Sequence, residues 1–277
     1  MNSLAMIWRA LAAALLFVGF GFTPAHADQR FLIVATDYTT SGNPSLVLQN
    51  PLLDGQRITS AFARAGHPDV RMVANPSPET LEKELARFAA TLTKKDFAMI
   101  YIAGHAVQLD GENYLLAADG FTLIALGSII RDISQSAAAS LFILDACRNN
   151  PFAVKAAEAR SVNVLNAKNR ALTTIMTDDL SQSRSGLSQI ADLRGLSSIV
   201  FFSTEPGNVA LDGEPGEGSP FANVLSEEIP KRQSLDALLR RTATRVNRVT
   251  EGAQSPWRQG DIPIDVFIAG MKAMAIP

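Results

Sequence analysis

The sequence is poor in cysteine and in net charge, and both shortages exclude classes of protein. Cys147 is the single cysteine among 277 residues, so an intramolecular disulfide framework is excluded. The formal net charge is -2, which gives no electrostatic signature of nucleic-acid binding, and we predict no nucleic-acid partner. The chain also lacks a G-x-S-x-G nucleophile elbow, which argues against a serine hydrolase.

The first 27 residues have the pattern of a secretory signal peptide. One positive residue, Arg9, precedes an apolar run at 10–22, and the Ala-His-Ala triplet at 25–27 suits signal peptidase. The apolar run is short for a membrane span. We therefore predict cleavage after Ala27, leaving a mature domain of residues 28–277 that is periplasmic or secreted and has no membrane attachment. An uncleaved N-terminal anchor is the alternative.

Beyond residue 30, apolar runs of strand length alternate with amphipathic segments of helix length. This alternation is typical of a layered α/β domain with a mostly parallel sheet. The predicted strands are 31–36, 69–73, 97–103, 113–119, 141–146 and 198–204. The predicted helices are 52–65, a helix that starts at Ser77 and Pro78, 122–139 and 234–249. Residues 153–196 contain no long apolar run, and we interpret them as a variable insertion or linker.

Two reactive side chains follow consecutive core strands of this pattern. His105 comes just after the strand at 97–103, and Cys147 just after the strand at 141–146. Catalytic groups gather at the carboxyl ends of parallel strands, where loops can present them. A histidine there can take the thiol proton, and the thiolate is the nucleophile. Core packing explains either residue alone, but their joint placement predicts a catalytic pair.

The segments around these two residues resemble a known family. "YIAGHAVQLDGENYLLAAD" at 101–119 and "LFILDACRNNPF" at 141–152 are similar to the caspase-like clan of cysteine peptidases, peptidase C14, most closely its bacterial metacaspase-related members. "NPLLDGQRI", "FFSTEPGNVALDG" and "GSPFANVL" continue the resemblance. It implies that residues 28–277 form a caspase-like three-layer α/β/α sandwich with a mostly parallel central sheet.

The resemblance also implies a role for each matching residue. Cys147 would attack the scissile carbonyl carbon, and His105 would assist proton transfer to the leaving amine. The backbone N–H groups of Ala106 and Cys147 would hold the oxyanion. Glycine is usual in the family at the position of Ala106, where alanine would be strained if φ were positive. Some metacaspases use calcium, but the acidic residues here show no ordered ligand spacing, so we predict no metal or other cofactor.

Two aspartates are candidates for the substrate-binding pocket. Asp145 lies two residues before Cys147 and so points to the same side of its strand. Asp212 lies in a glycine-rich loop. Caspases that cut after aspartate have glutamine and arginine at these two positions, so the acidic pair predicts a preference for Arg or Lys in the substrate. The alternatives are a strand-end carboxylate satisfied by backbone N–H groups and an ordinary turn aspartate.

These observations predict a cysteine endopeptidase whose partner is a peptide or protein substrate. The alternative is a catalytically inactive caspase-like domain that binds a peptide or partner protein in the same groove. Self-cleavage in the insertion is a further hypothesis, and solvated linker residues are its simpler alternative. The basic residues concerned are Lys168, Arg170, Arg184 and Arg194. No exposed sheet edge is recognisable, so the sequence makes no prediction of oligomeric state.

Overall fold

The computed structural model describes residues 28–109, 111–147, 162–166, 171–175, 190 and 193–270. The strands in these ranges are β1 Gln29–Ala35, β2 Arg71–Ala74, β3 Phe97–Leu109, β4 Glu112–Leu116, β5 Thr122–Ala125, β6 Ala139–Cys147, β7 Val162–Asn166, β8 Ala171–Ile175, β9 Ser198–Phe202 and β10 Trp257–Asp261. The α-helices are α1 Pro51–Arg64, α2 Pro78–Ala90, α3 Leu126–Ser134, α4 Pro220–Glu228 and α5 Leu235–Val249. A 3-10 helix at Pro44–Leu46 precedes α1.

Six strands form the central sheet, in the order β2-β1-β3-β6-β9-β10. Every pairing in this sheet is parallel except that of β9 with β10. Strand β3 extends beyond the central sheet and pairs there with β4, and the order continues β4-β5-β7-β8. The mostly parallel central sheet predicted from the sequence is confirmed.

Helices cover both faces of the central sheet and enclose two buried apolar clusters. Helices α1, α4 and α5 pack on one face, and α2 and α3 pack on the other. The first cluster includes Ile58, Phe221 and Leu239 with Tyr101 and Ile143 of the sheet, and the second includes Leu81 and Ile130 with Ile100 and Phe142. The fold is therefore the three-layer α/β/α sandwich that the sequence predicts.

Strands β3 and β6 lie in the middle of this sandwich. Successive side chains of a strand point to opposite faces, so Ile100 and Tyr101 enter different clusters, as do Phe142 and Ile143. Burial on both faces explains why these strands are continuous apolar runs. Burial of each such side chain stabilises the fold by about 1.5–3 kcal/mol. The residues at the ends of β3 and β6 are therefore held in fixed positions.

The ends of the first two helices follow the local sequence signals. Ser77 caps α2 by accepting the N–H of Thr80, and Pro78 occupies the first turn. Helix α1 ends at Arg64, and Gly66 follows with φ +102, a backbone region that favours glycine.

Two predicted segments differ from the structure, and part of a third is described by it. The helix predicted at 122–139 is strand β5 followed by the shorter α3, because residues 123–125 pair with β4 and residues 122–124 pair with β7. Strand β3 does not end at residue 103, since β4 gives its continuation a new partner. Within 153–196, β7 and β8 form an antiparallel pair, and β7 also joins β5. The remainder of that segment, apart from residue 190 and residues 193–196, lies outside the described residues.

In the described part of the chain, no helix is long and apolar enough to cross a membrane. The predicted signal peptide at 1–27 lies outside that part.

Candidate active site

The register of β3 and β6 places the two predicted catalytic residues side by side. The strands pair in parallel, with Ala103 opposite Asp145 and His105 opposite Cys147. Cys147 is the last residue of β6, while β3 continues past His105. Neighbouring strands in a sheet are about 5 Å apart, so the two backbones approach as closely as the fold allows. The side chain of Cys147 lies outside the described part of the structure.

The imidazole of His105 is enclosed and held by one defined contact. Only 9% of the residue is exposed, and Nε2 lies 2.9 Å from the carbonyl oxygen of Leu46. A carbonyl oxygen only accepts, so Nε2 carries the hydrogen, and Nδ1 has the lone pair in the neutral ring. Nδ1 is buried and has no hydrogen-bond partner among the described residues. The ring is thus held in the tautomer that can accept a proton at Nδ1.

Burial also determines the charge of this ring. It lowers the pKa of His105 to about 4, and the hydrogen bond to Leu46 opposes the shift to a smaller extent. The imidazole is therefore neutral at neutral pH. A neutral imidazole can accept a proton, which is the state that a general base requires.

Ala106 occupies ordinary strand backbone. It pairs with Leu115 of β4 and is buried. Ala106 is not among the non-glycine residues of the described part that have positive φ. The strain that alanine would suffer at positive φ therefore does not arise. The nearby residue that favours glycine is Gly104, with φ +153.

A narrow cavity of about 20 Å³ lies beside the ends of β3 and β6. Asp145 of β6 and Asp212 both line it, so the structure brings the two predicted pocket residues together. Asp54 of α1 lines the same cavity. Gly104 and Ser219 complete the polar part of the wall, and three carboxyl groups therefore surround one small space.

Ser219, the N-cap of α4, connects two of these carboxyl groups. Its backbone N–H donates to Asp54 Oδ1 at 3.0 Å, and its hydroxyl donates to Asp145 Oδ2 at 2.8 Å. The same Oγ accepts the N–H of Ala222 at 2.9 Å, which fixes it at the start of the helix. Tyr101 donates its hydroxyl to Asp145 Oδ2 at 2.9 Å. Side-chain hydroxyls therefore hold Asp145, in contrast to the strand-end alternative of backbone N–H donors.

The pKa values of Asp54 and Asp145 lie above the ordinary carboxyl range. Burial is the largest cause for both groups. For Asp54, the charges of Asp145 and Asp212 add to the rise in pKa, while the Ser219 N–H and Arg57 oppose it. For Asp145, hydroxyl hydrogen bonds lower the pKa and the charge of Asp212 raises it. The cavity therefore has an excess of acidic groups that a positively charged ligand would relieve.

Asp212 is positioned by the two residues that precede α1. The N–H of Gln49 donates to Asp212 Oδ2 at 2.9 Å. The Asn50 amide donates to the carbonyl oxygens of Asp212 and Glu214, at 2.7 and 3.0 Å, and accepts the N–H of Gly216 at 2.9 Å. Asn50 is fully buried. The loop after β9 is thereby fixed against α1, and Asp212 with it.

The sequence did not reveal Asp54, Leu46, Tyr101 or Ser219 as residues of the site. Asp54 lies four residues before Ile58, so both fall on the buried face of α1. A carboxylate on a buried face is rarely found without a partner or a function, and this signal could have identified it. Leu46 gives no comparable signal, because it contributes a backbone carbonyl that any residue supplies.

Of the four basic residues in the predicted self-cleavage segment, one is described by the structure. Lys168, Arg170 and Arg184 lie outside the described residues, and Arg194 is exposed. Within the ranges that the structure describes, no group of three or more His, Cys, Asp or Glu residues could hold a metal ion.

Fold and site together define a class of protein: an α/β/α sandwich whose functional groups lie at the carboxyl ends of adjacent parallel strands. The chain matches the caspase domain, peptidase family C14, over residues 30–267, and it belongs to this family. The predicted resemblance is therefore confirmed. No curated protein matches the chain. The caspase domain supports a cysteine-peptidase-like function, with a peptide or protein as the substrate class.

Proposed function

We propose that this protein is a cysteine endopeptidase with His105 and Cys147 as its catalytic dyad. The observation that carries the proposal is the register of β3 and β6, which pairs these two residues directly. The buried, neutral imidazole with an unpartnered Nδ1 adds support, because that atom is available to take the thiol proton.

The reaction follows from these roles. His105 Nδ1 takes the proton of the Cys147 thiol, and the thiolate attacks the scissile carbonyl carbon to form a tetrahedral oxyanion. The imidazolium then gives its proton to the leaving amine, and a thioester remains on the sulfur. Water, deprotonated by the same imidazole, hydrolyses the thioester and restores the thiol. The Leu46 carbonyl keeps the ring in one orientation throughout.

Two backbone N–H groups hold the oxyanion in this proposal. The N–H of His105 donates to the Tyr38 hydroxyl, on the side of β3 away from β6. Successive N–H groups of a strand point to opposite edges, so the N–H of Ala106 is directed towards β6. Cys147 ends β6 on that side and supplies the second N–H.

The acidic cavity selects the residue before the cut. Asp54, Asp145 and Asp212 line it together, and the charged end group of an arginine or lysine at the mouth of this small space would bring the positive charge that they lack. Arginine gains most, because its planar guanidinium can bind a carboxylate through two parallel hydrogen bonds.

We further propose that residues 1–27 are removed on export to the periplasm or the medium. Both backbone groups of Asp28 are hydrogen-bonded to the folded domain. Its N–H donates to Asp96 Oδ1 at 3.0 Å, and its carbonyl accepts the N–H of Phe97 at 2.9 Å. A new α-ammonium group at residue 28 would face the buried carboxylate of Asp96. Mass spectrometry of the N-terminus of exported protein tests this, and an intact N-terminus would support the uncleaved anchor.

The decisive experiment is peptide cleavage by residues 28–277 under reducing conditions. Fluorogenic peptides with Arg, Lys, citrulline, Asp or Ala before the reporter are compared, with and without calcium. Citrulline is the matched control, since it has the shape of arginine without the charge. We expect cleavage after Arg and Lys, no cleavage after citrulline, and complete loss of activity in Cys147→Ala.

Other outcomes separate the parts of the proposal. Cleavage after Asp would contradict the acidic pocket and leave the dyad standing. If no peptide is cut, the rate of Cys147 alkylation decides, because a dyad cysteine reacts near neutral pH much faster than a buried thiol. A folded protein with an unreactive Cys147 would be the catalytically inactive binding domain instead.

A further inference from the structure

Strand β3 changes partners at the catalytic histidine. On the side away from β6, it pairs with β1 as far as Ala103, whose carbonyl accepts the N–H of Thr36 at 2.9 Å. Pairing with β4 begins at Ala106, opposite Leu115. The N–H of His105 falls between the two ladders, where neither strand provides an acceptor. A buried N–H without a partner would cost about 1–3 kcal/mol and would leave this part of β3 loosely held.

The hydroxyl of Tyr38 fills this gap. It accepts the N–H of His105 at 2.8 Å and donates to the carbonyl oxygen of Leu116 at 2.9 Å. One side-chain oxygen thus connects β3 at the histidine to the end of β4. Tyr38 is 1% exposed, so water does not compete for these bonds.

The ring of Tyr38 holds the imidazole as well. Its centroid lies 4.6 Å from that of His105, with a tilt of 36° between the planes. The loop that carries Tyr38 also carries Leu46, whose carbonyl binds Nε2, and both side chains belong to one small apolar cluster. The loop therefore contacts His105 at its backbone N–H, at the face of its ring and at Nε2.

Three features of the structure show that this contact is tightly constrained. Tyr38 has φ +63, a region that a bulky residue adopts only when its surroundings hold it there. The N–H and hydroxyl of Ser41 both donate to the Tyr38 carbonyl, at 3.0 and 2.8 Å. On the other side, a Cβ at Gly104 would lie 3.0 Å from the Tyr38 hydroxyl, so the approach needs glycine there.

From this geometry we propose that Tyr38 is a positioning residue for His105, and this role rests on the proposed dyad. Its hydroxyl replaces the missing strand hydrogen bond and sets the position of the His105 backbone relative to Cys147. Its ring, with the Leu46 carbonyl, sets the orientation and tautomer of the imidazole. In this role Tyr38 acts through the histidine.

The test is Tyr38→Phe in residues 28–277, which removes one oxygen and keeps the ring. We expect kcat for arginine peptides to fall about tenfold or more with little change in KM, since misplaced catalytic groups cost rate and not binding. The matched control is Tyr114→Phe, because the ring of Tyr114 packs against the same cluster from β4. The control should keep its kcat.

A second readout does not depend on proteolysis. Only two histidines, His67 and His105, remain in residues 28–277, so nitrogen NMR can follow the ring of His105 individually. In the wild type we expect the Nε2–H tautomer and a protected His105 amide in hydrogen exchange. In Tyr38→Phe we expect a mixture of tautomers and a pKa for His105 that is closer to its ordinary value. The NMR and hydrogen-exchange measurements do not require peptide cleavage. They therefore test the role of Tyr38 even if the proposed His105–Cys147 dyad is not catalytic.

Three results would overturn the role of Tyr38. The first is a Tyr38→Phe variant with unchanged kcat and an unchanged His105 tautomer. The second is loss of activity with the tautomer and pKa of His105 unaltered, which would make Tyr38 a structural residue only. The third needs no variant: an unprotected His105 amide in the folded wild type would show that the hydroxyl does not hold it.

Discussion

Asp54 offers the sharpest test of the acidic cavity, because its replacement by asparagine removes charge and little else. The side chain has the same shape, and its oxygen can still accept the N–H of Ser219, which lies 3.0 Å from Oδ1. Among the residues that the structure describes, no hydrogen bond joins Asp54 to His105. Asp54→Asn should therefore leave the chemistry of the dyad intact and weaken the attraction for a basic side chain.

The size of the effect follows from the charges around the cavity. Two opposite unit charges about 4 Å apart attract by about 4 kcal/mol at an effective dielectric constant of about 20. Only part of this is lost, because Asp145 and Asp212 remain and because the raised pKa of Asp54 means that it binds a proton when the cavity is empty. We expect a loss of about 1.5–3 kcal/mol, or about 10- to 100-fold in kcat/KM for arginine peptides.

The same group determines two pH dependences. Because the pKa values of Asp54 and Asp145 are raised, these two groups lose their protons at a higher pH than ordinary aspartates do. The negative charge of the cavity therefore increases over that higher pH range. For the wild type, kcat/KM for arginine peptides should therefore rise through the neutral range, and Asp54→Asn should flatten this rise. A raised folded-state pKa also means that the protonated carboxyl stabilises the fold below the ordinary aspartate pKa, and that this contribution disappears as pH rises through the raised value. Asparagine does not ionise. The melting temperature of the variant should therefore rise relative to that of the wild type as the pH increases.

The assay compares arginine and citrulline peptides in the wild type and in Asp54→Asn, across about pH 5 to 9, with thermal unfolding measured in the same buffers. Citrulline peptides should respond little to the substitution at any pH. An arginine-to-citrulline ratio within about threefold of the wild-type ratio would refute the role of Asp54 in the pocket. A melting-temperature difference between the variant and the wild type that does not grow as pH rises would refute the argument from the raised pKa of Asp54.

Two further substitutions test how the site is supported. Gly104→Ala places a Cβ 3.0 Å from the Tyr38 hydroxyl at φ +153, so we expect a loss of stability of about 1–3 kcal/mol and a fall in kcat, and an unchanged melting temperature would contradict this. Asn50→Ala removes three hydrogen bonds between the buried residue that precedes α1 and the backbone of the 212–216 loop, so urea unfolding should show a loss of about 2–3 kcal/mol. The same variant should raise KM for arginine peptides, because Asp212 moves with the loop, and an unchanged KM would show that Asp212 lies outside the pocket.

Local patterns were sufficient for the elements that are regular and buried. The apolar runs of β3 and β6 predict central strands, and the cap formed by Ser77 and Pro78 predicts the start of α2. The same reasoning failed at 122–139, where residues with no strong strand pattern pair with β4 only because that hairpin brings β4 beside them. Local patterns also predicted that β3 ends at residue 103, whereas the strand continues to Leu109. The continuation of a strand depends on a partner strand that the local sequence does not reveal.

For the site, the sequence alone identified the family and predicted the pair of reactive residues, because His105 and Cys147 come at the ends of apolar runs whose burial is visible in a few neighbouring residues. Only the tertiary structure decided what surrounds them. It brought Asp54, Asp145 and Asp212 to one cavity from a helix, a strand and a loop. It also seated the imidazole between Tyr38 and the Leu46 carbonyl. Such contacts depend on the path of loops between distant segments, and periodicity and composition report only the burial of each segment by itself.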